Sequence, residues 1–295
     1  MATPTVRRLQ LGSVLRHLRV RAGMELEHAA PAIERSSAVV SRLENGLTGL
    51  RPGDLRRLVE HYARHIDDGE PVDVDAVVEL GRGSESRGRW RGYRGSFDRF
   101  FRAAVDLEAD ASVINVYQNE VIWGPLQTES YMRAMFENVR TADQSTEARI
   151  KARLDRRRVI EGGTSEVNVV LSESAIRRVH GGRHTMADQM RLLAALAEMP
   201  HIHLYVLPFD ATQPSVAAFP FAYFRVPPAD RNVPAVEIVY LEQFTNGDYL
   251  DGPADIAVYS GLWSGLLGSA LDTAKSRDFL LRAVKQYEDP PPKET

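Results

Sequence analysis

A run rich in arginine and glycine, GRGSESRGRWRGYRGS from Gly81 to Ser96, divides this chain into two unlike parts. Its glycines stand at positions 81, 83, 88, 92 and 95, a density typical of a linker. Before this run apolar residues recur at helical spacing, whereas after it strand-like and helical segments alternate irregularly. A chain of 295 residues is long enough for two domains. We therefore predict a helical domain over 1–80, a linker over 81–96, a larger domain over 97–287 and a disordered tail over 288–295.

Charge is distributed unevenly between these parts. From Met1 to Ile66 there are eleven arginines and six acidic residues, which gives a net charge of +5. Because the whole chain carries −3, the remainder carries −8. A basic head on an acidic body is typical of a head that contacts phosphates, although chance clustering of arginine gives the same count. The linker arginines, interleaved with Trp90 and Tyr93, have a second interpretation as a tract that binds nucleic acid.

Several classes of protein and site are excluded by composition. The chain has no cysteine, so disulfides, thiolate zinc sites and cysteine nucleophiles are excluded. No apolar run approaches the ~20 residues of a membrane span, and the segment MATPTVRRLQLG has no apolar signal core. We expect a cytoplasmic protein without a metal ion or cofactor.

The head is predicted to consist of consecutive short helices. Leu11, Val14, Leu15 and Leu18 give the first helix an apolar face, and Gly23 follows its end. Pro31 lies inside the second helical segment and is expected to shorten or bend it. A later helix is predicted to begin near Pro52.

The stretch ERSSAVVSRLENG, from Glu34 to Gly46, is predicted to form the third helix. We expect the Ser36 hydroxyl to cap it, and Val40 and Leu43 to face the core. The outward positions are then Ser37, Ala38, Ser41 and Arg42. Short side chains allow close approach to a DNA groove, and an arginine can contact a guanine edge or a phosphate.

The segment LGSVLRHLRVRAGMELEHAAPAIERSSAVVSRLENG resembles the helix-turn-helix regulators of the Cro/XRE type. The resemblance implies a five-helix DNA-binding domain that reads DNA with the face from Ser37 to Arg42. It also implies that Glu44 pairs with an arginine of the first helix, for which Arg19 is our choice. Candidates for phosphate contact are Arg19, His28 and Arg51. Three departures from the pattern are Glu34 for a glycine, His28 for a glutamine, and Pro31.

The body is predicted to be an α/β or α+β domain with a mixed sheet, because strands and helices alternate without a regular order. Strands are expected in SVINVYQNEVIW, EVNVVLS, HIHLYVLPF, FPFAYFRVP and PAVEIVYLEQF, with a turn at Asn246-Gly247. The segment from Ala257 to Tyr287 is predicted as one closing helix. Its leucines at 262, 266, 267 and 271 are expected to supply a surface for dimerisation.

The body also resembles a known group of proteins, through EVIWGPLQTESYMRAMFE, ARLDRRRVI, LSESAIRRVHGG, QMRLLAALAEMPHIHLYVLPF and VEIVYLE. These segments are similar, in order, to the C-terminal domain of a large family of actinobacterial regulators. Its members join an XRE-type head to a domain of poorly defined activity, and they are often described as antitoxin-like. The resemblance implies regulation and names no ligand.

Motifs for enzyme catalysis are absent from the sequence: it contains no G-x-S-x-G, P-loop, G-x-G-x-x-G after a strand, or H-E-x-x-H. Two weaker candidates for ligand binding are Glu120 with Trp123, at a strand-to-helix junction, and the strand pair His201 and His203. His180 and His184 are candidate third ligands of a metal at that pair, but the spacing is more typical of plain sheet histidines. The run RLDRRRVI is predicted as a solvated helix face, or alternatively as a binding site for an acidic partner protein.

Taken together, these patterns predict a homodimeric, sequence-specific DNA-binding transcriptional regulator, since one such head covers too few base pairs for tight specificity. Its body would bind a partner protein or a small-molecule effector. One alternative is an enzyme or a metabolite-binding module with a vestigial head. A second is an antitoxin-like interaction protein whose main role is to hold a partner.

Overall fold

The computed structural model describes residues 6–83, 101–137, 146–211, 219–228, 235–243 and 246–289. It divides into two compact units. Among the described residues, the first unit holds 6–83, 101–110, 225–228 and 235–237. The second holds 111–137, 146–211, 219–224, 238–243 and 246–289. The helix that follows the predicted linker therefore groups with the head, while most of the predicted linker lies outside the described residues.

Apart from the strand residues 225–226 and 236–237, the regular structure of the first unit is helical, as predicted. Its helices are α1 (Val6–Arg21), α2 (Leu26–Ala29), α3 (Ser37–Glu44), α4 (Pro52–Ala63), α5 (Val74–Gly83) and α6 (Arg102–Asp110). A short 3-10 helix, Ala30–Ile33, directly follows α2 and contains Pro31. The proline thus shortens the second helix, as expected from its missing N–H.

Glycines end two of these helices in the same way. Gly23 after α1 and Gly46 after α3 have φ values of 64° and 67°. The Gly46 N–H bonds to the Leu43 carbonyl, and the Leu47 N–H bonds back to the Arg42 carbonyl. This is the Schellman arrangement, which needs a residue that tolerates the left-handed region.

One apolar cluster holds α1 to α5 together. Leu15, Leu58 and Val59 are fully buried within it, and Val77 and Val78 bring α5 into the same core. Burying one large apolar side chain contributes about 1.5–3 kcal/mol to stability. These contacts therefore stabilise helices that are too short to form alone.

A six-stranded mixed sheet is formed by the described residues of the body. Its strands are β1 (Val113–Gln118), β2 (Glu166–Ser172), β3 (Ile202–Leu207), β4 (Phe221–Val226), β5 (Val236–Glu242) and β6 (Gly247–Leu250), in the order β3-β2-β1-β4-β5-β6. The strands β1, β2 and β3 are parallel, whereas β5 and β6 form an antiparallel hairpin. The turn expected at Asn246-Gly247 is misplaced, because Gly247 is the first residue of β6 and pairs with Glu242 of β5. Strand β6 was not predicted, since its four residues are too few to show a clear alternating pattern.

Helices cover the sheet. They are α7 (Glu129–Glu137), α8 (Thr146–Glu161), α9 (Glu173–Arg177), α10 (Gly182–Leu196), α11 (Pro253–Ser269) and α12 (Thr273–Glu288). On one face, Trp263 and Leu266 of α11 pack with Tyr117, Val170 and Phe221. Residues of the other face, such as Ile114, Val167 and Ile202, are buried as well.

The prediction of one closing helix is wrong. The segment breaks after Ser269, and Asp272 starts α12 by accepting a hydrogen bond from the Lys275 N–H at 2.8 Å. The predicted leucine surface is also not free. Leu266 is buried, Leu262 and Leu267 pack partly against the sheet, and Leu271 lies between the two helices.

The segment between α11 and α12 occupies the outer edge of β3. The Leu271 N–H donates to the Val206 carbonyl, and the Ser276 hydroxyl accepts from the Val206 N–H, both at 2.9 Å. No helix of the described residues is long and apolar enough to cross a membrane.

Candidate nucleic-acid interface

A buried ion pair links the first and third helices of the head. Glu44, at the end of α3, is 3% exposed. Arg19 of α1 donates from Nε to Oε1 at 2.6 Å and from Nη2 to Oε2 at 3.0 Å. Its remaining nitrogen, Nη1, donates to the Met24 carbonyl at 2.7 Å. The predicted pairing of Glu44 with Arg19 is confirmed, and the hydrogen bonds to Glu44 raise the pKa of Arg19.

The backbones of α1 and α3 also meet directly. A Cβ atom on Gly12 would lie 2.5 Å from the Glu44 carbonyl oxygen and 2.8 Å from that of Leu43. Arg16 bridges the same junction, donating to the Glu44 carbonyl and to Asn45 Oδ1. Gly12 was missed from sequence; its only signal is a glycine inside an otherwise apolar helical face.

These contacts fix which face of α3 points outward. Val40 and Leu43 are buried, as predicted. Ala38 and Arg42 are exposed, while Ser37 and Ser41 are half-buried. Ser36 occupies the N-cap position but makes no side-chain capping bond. The prediction that the Ser36 hydroxyl caps α3 is therefore wrong. This exposed hydroxyl can instead hydrogen-bond to a ligand such as a phosphate.

The turn before α3 keeps its geometry despite the departures noted in the sequence. Glu34 has φ 54° and ψ 42°, in the left-handed region that the expected glycine would adopt without strain. The Arg35 N–H bonds to the Ala30 carbonyl at 3.2 Å across this turn. Glu34 and Pro31 therefore alter the chemistry of the turn without removing it.

Arginines of the head fall into two groups. Several are engaged with carboxylates: Arg21 with Asp68, Arg56 with Asp75, and Arg57 with Asp54. By contrast five arginines are exposed and form no ion pair with any residue that the structure describes: Arg7, Arg64 and the three nearest α3, which are Arg35, Arg42 and Arg51. These three lie just before α3, within it, and at the N-cap of α4. Arg35 was not among the sequence candidates, although a basic residue next to a helix start is a recognisable signal.

Two other candidates for phosphate contact differ in accessibility. His28 is exposed on α2. The side chain of Arg19 is 13% exposed, and its three nitrogens all donate within the head. This engagement weighs against a phosphate contact through Arg19.

In the body, Glu120 and Trp123 are not brought together. Glu120 is exposed, accepts from the Ser174 hydroxyl at 3.0 Å and pairs with Arg178 at 2.5 Å. Trp123 is buried and precedes the 3-10 helix Gly124–Leu126. The proposed shared pocket of these two residues thus has no support in their placement.

The histidines of the body have separate surroundings. His201 Nε2 lies 3.1 Å from the Ile160 carbonyl, and His203 is in register with Asn168 of β2. The His180 ring contacts Tyr131, while His184 lies beside Asp188 on its own helix. Within the described ranges no group of three or more His, Cys, Asp or Glu side chains could hold a metal ion.

The prediction of a solvated arginine face on α8 is wrong. Arg156 is buried, and Arg157 donates to the Pro125 carbonyl at 3.0 Å and to that of Gln127. Arg153 donates to the Gln127 side chain and lies over the Phe136 ring. Burial, followed by the charges of Arg156 and Arg149, lowers the pKa of Arg153 to about 9. These arginines tie α8 to the loop after β1.

Comparison with known families accounts for most of the chain. Residues 101–282 match the family described as domain of unknown function (DUF5753). The chain belongs to the DUF5753 family. Residues 10–70, which include all but the start of α1 and continue through α4, match a helix-turn-helix domain. No curated protein and no solved structure matches the chain.

Polar groups of the DUF5753 domain gather where its parallel strands end. Glu173 follows β2, is 7% exposed and pairs with Arg177. Its second oxygen accepts from the Phe209 N–H, just after β3, at 2.9 Å. Sequence reasoning missed Glu173, although an acidic residue directly after an apolar strand is a usable signal, because ligands of α/β proteins often lie at this edge.

Proposed function

We propose that this chain is a sequence-specific DNA-binding transcriptional regulator whose α3 enters the major groove. The match to a helix-turn-helix domain supports DNA as the partner. The observation that carries the assignment of α3 is the distribution of charge. Arg35, Arg42 and Arg51 lie exposed around a helix whose orientation a buried ion pair holds.

Each residue has a proposed role. Ser37, Ala38, Ser41 and Arg42 face base edges, with Arg42 as the residue that reads a guanine. Ser36, Arg35, His28 and Arg51 contact phosphates, and the N–H groups at the start of α3 favour the same negative charge. Arg19 positions α3 through Glu44 and is not assigned a phosphate.

The DUF5753 domain would supply dimerisation and bind a partner protein or a small ligand. A two-fold dimer would match a palindromic operator. The outer surface of α11 is our choice for the dimer contact, since Val258 is 60% exposed and no charged residue occurs from Ile256 to Ser269. The resemblance to antitoxin-like regulators of actinobacteria supports a role for a bound partner.

The test is a gel-shift titration of Arg42→Ala on a duplex selected from genomic DNA, at fixed salt. Loss of the base contact should weaken binding by about 1–3 kcal/mol and relax preference at one position. Arg51→Ala should weaken binding to all sequences and reduce the salt slope by about one. Arg57→Ala, whose side chain already pairs with Asp54, is the matched control. Unchanged binding by Arg42→Ala would overturn the assignment of α3.

One observation favours the alternative of an enzyme or metabolite-binding module with a vestigial head. Glu34 is exposed in the turn before α3, three residues ahead of its first residue, and would repel a phosphate bound there. Failure of the full chain to bind random duplex DNA at low salt would support this alternative.

A further inference from the structure

A cavity of about 260 Å³ lies within the second unit, between α9, the start of α10 and α12. Its apolar wall is formed by Ile176 and Ala283, which are buried, and by the Phe279 ring. Its volume is just below the range of about 300–1,000 Å³ that is usual for small-molecule sites. The space thus has the size of a compact metabolite.

Arg177 forms one side of the mouth of this cavity. Its Nε donates to Glu173, and its Nη1 lies 3.4 Å from Gln286 Oε1. The guanidinium carbon is 5.8 Å from the centre of the Phe279 ring. Because Glu173 is buried and paired with it, this arginine is fixed in place and its charge is largely compensated.

Arg183, in the first turn of α10, forms the other side. Its Nη2 donates to the carbonyl oxygens of Gln286 and Asp289 at the end of α12, the second at 2.5 Å. Among the described residues no carboxylate forms an ion pair with Arg183, which is exposed. The cavity lining therefore carries a positive charge that no described carboxylate neutralises and that the negative end of the α12 dipole offsets only in part.

A flat aromatic wall completes the cavity. The Tyr287 hydroxyl donates to the Ile176 carbonyl at 2.7 Å, which fixes the orientation of the ring. Burial raises the pKa of Tyr287, although the nearby charges of Arg177 and Arg183 act to lower it. The phenol stays protonated at neutral pH and does not offset the positive charge of the mouth.

We propose that this cavity binds a small organic anion with a flat apolar body. Its carboxylate or phosphate would pair with Arg183 through the Nε and Nη1 hydrogens, because the two hydrogens of Nη2 are donated to the carbonyls of α12. Its body would lie between the Phe279 and Tyr287 rings. This inference specifies the small-ligand role proposed for the body, and it does not depend on DNA binding by the head.

The experiment is isothermal titration calorimetry on the full chain, without DNA. The probes are indole-3-acetate and phenyl phosphate, which separate a carboxylate from a phosphate. Indole-3-ethanol is the control that has the apolar body without the anionic group. Inorganic phosphate is the control that has the anionic group without the apolar body. At least one of the two aromatic anions should bind saturably and about tenfold or more tighter than both controls, since neither half of the ligand suffices.

Two variants locate the site. Arg183→Gln should weaken binding about tenfold or more, whereas Arg282→Gln should not change it. Arg282 is the matched control because it lies 5.8 Å from the same Phe279 ring but does not line the cavity. Ala283→Met leaves both arginines and fills the cavity, so it should abolish binding even if Arg183→Gln perturbs the end of α12.

The proposal is overturned if neither anion binds at 5 mM, on the millimolar scale of a very weak site. Equal binding of indole-3-ethanol, or wild-type affinity in Ala283→Met, would also overturn it. Because no DNA is present, failure of this assay leaves the gel-shift result on α3 intact, and the two failures are distinguishable.

Discussion

Two buried carboxylates, Glu44 in the head and Glu173 in the body, are held by arginines in different ways. Both oxygens of Glu44 accept from Arg19, which is itself largely buried. Glu173 gives one oxygen to Arg177, whose side chain is 48% exposed, and the other to the Phe209 N–H. The first pair joins two helices; the second joins the ends of two strands and holds an arginine at a cavity mouth.

The difference teaches what each carboxylate controls. Breaking the buried pair leaves the Arg19 charge without a partner between α1 and α3. The main effects should be on the orientation of α3 and on the stability of the head. Breaking the half-exposed pair releases Arg177 to solvent, so stability should change less. Variants of the two residues can therefore separate a positioning role in the head from a ligand-orienting role in the body.

The largest effect is expected for Glu44→Gln. Removing one partner of a buried ion pair costs about 3–5 kcal/mol, because Arg19 is left without its counter-charge. Urea unfolding followed by circular dichroism measures the loss, and gel shift should show weakened DNA binding. Glu173→Gln is the matched variant in the body and should cost only about 1 kcal/mol. Equal losses of unfolding free energy in Glu44→Gln and Glu173→Gln would contradict the different roles assigned to the two carboxylates.

Gly12→Ala should have the next largest effect. The added methyl meets backbone carbonyls of α3, which cannot move without separating the helices, so we expect a loss of about 1–3 kcal/mol. In the body, the new Cβ of Gly124→Ala meets the end of the Arg156 side chain at 3.1 Å. That side chain can shift, so the cost should stay below about 1 kcal/mol. A larger loss at Gly124 than at Gly12 in thermal unfolding would contradict this account.

Two fully buried tyrosines give a smaller contrast. The Tyr131 hydroxyl accepts from the Ile122 N–H at 3.3 Å, whereas the Tyr62 hydroxyl is buried without a hydrogen-bond partner among the residues that the structure describes. Tyr131→Phe should cost about 1 kcal/mol, and Tyr62→Phe should be neutral or slightly stabilising. Paired urea titrations test this order, and a loss at Tyr62 equal to that at Tyr131 would show that its hydroxyl has a partner in solution.

The smallest expected effect is a gain. Glu34→Gly removes the strain of a side chain on left-handed backbone, but it also raises the conformational entropy of the unfolded chain. The net gain in the free energy of unfolding should be about 0.5–1 kcal/mol. The same change removes a negative charge beside α3 and should tighten DNA binding in the gel shift. Weaker DNA binding by Glu34→Gly would argue that Glu34 has a specific role in the complex.

Local patterns predicted the helices of the head and their buried faces, but not every contact between them. Val40 and Leu43 follow from helical spacing, and the glycine ends of α1 and α3 follow from turn chemistry. The pairing of Glu44 with Arg19 came from resemblance to a family. Gly12 was missed because its importance depends on the approach of α3, which spacing along α1 does not reveal.

The body was predicted less completely, because its features join distant segments. The break before α12 had a local signal, since Asp272 precedes Thr273 as a helix cap. The cavity had no local signal in the sequence, because residues that line it, such as Arg177 and Gln286, lie 109 residues apart in the chain. The arginines of α8 looked solvated by composition and are tied to a loop that ends far from them in sequence.

The cover on the outer edge of β3 has a consequence for how the chain can be shortened. Val206 has its carbonyl and its N–H satisfied by Leu271 and Ser276, which follow α11. A chain ending after α11 would expose that strand as a template for pairing with other molecules. The last helix, α12, therefore protects the edge of β3 from pairing that would lead to aggregation. A truncated chain that stays soluble would have to keep α12 or carry a charged residue on β3.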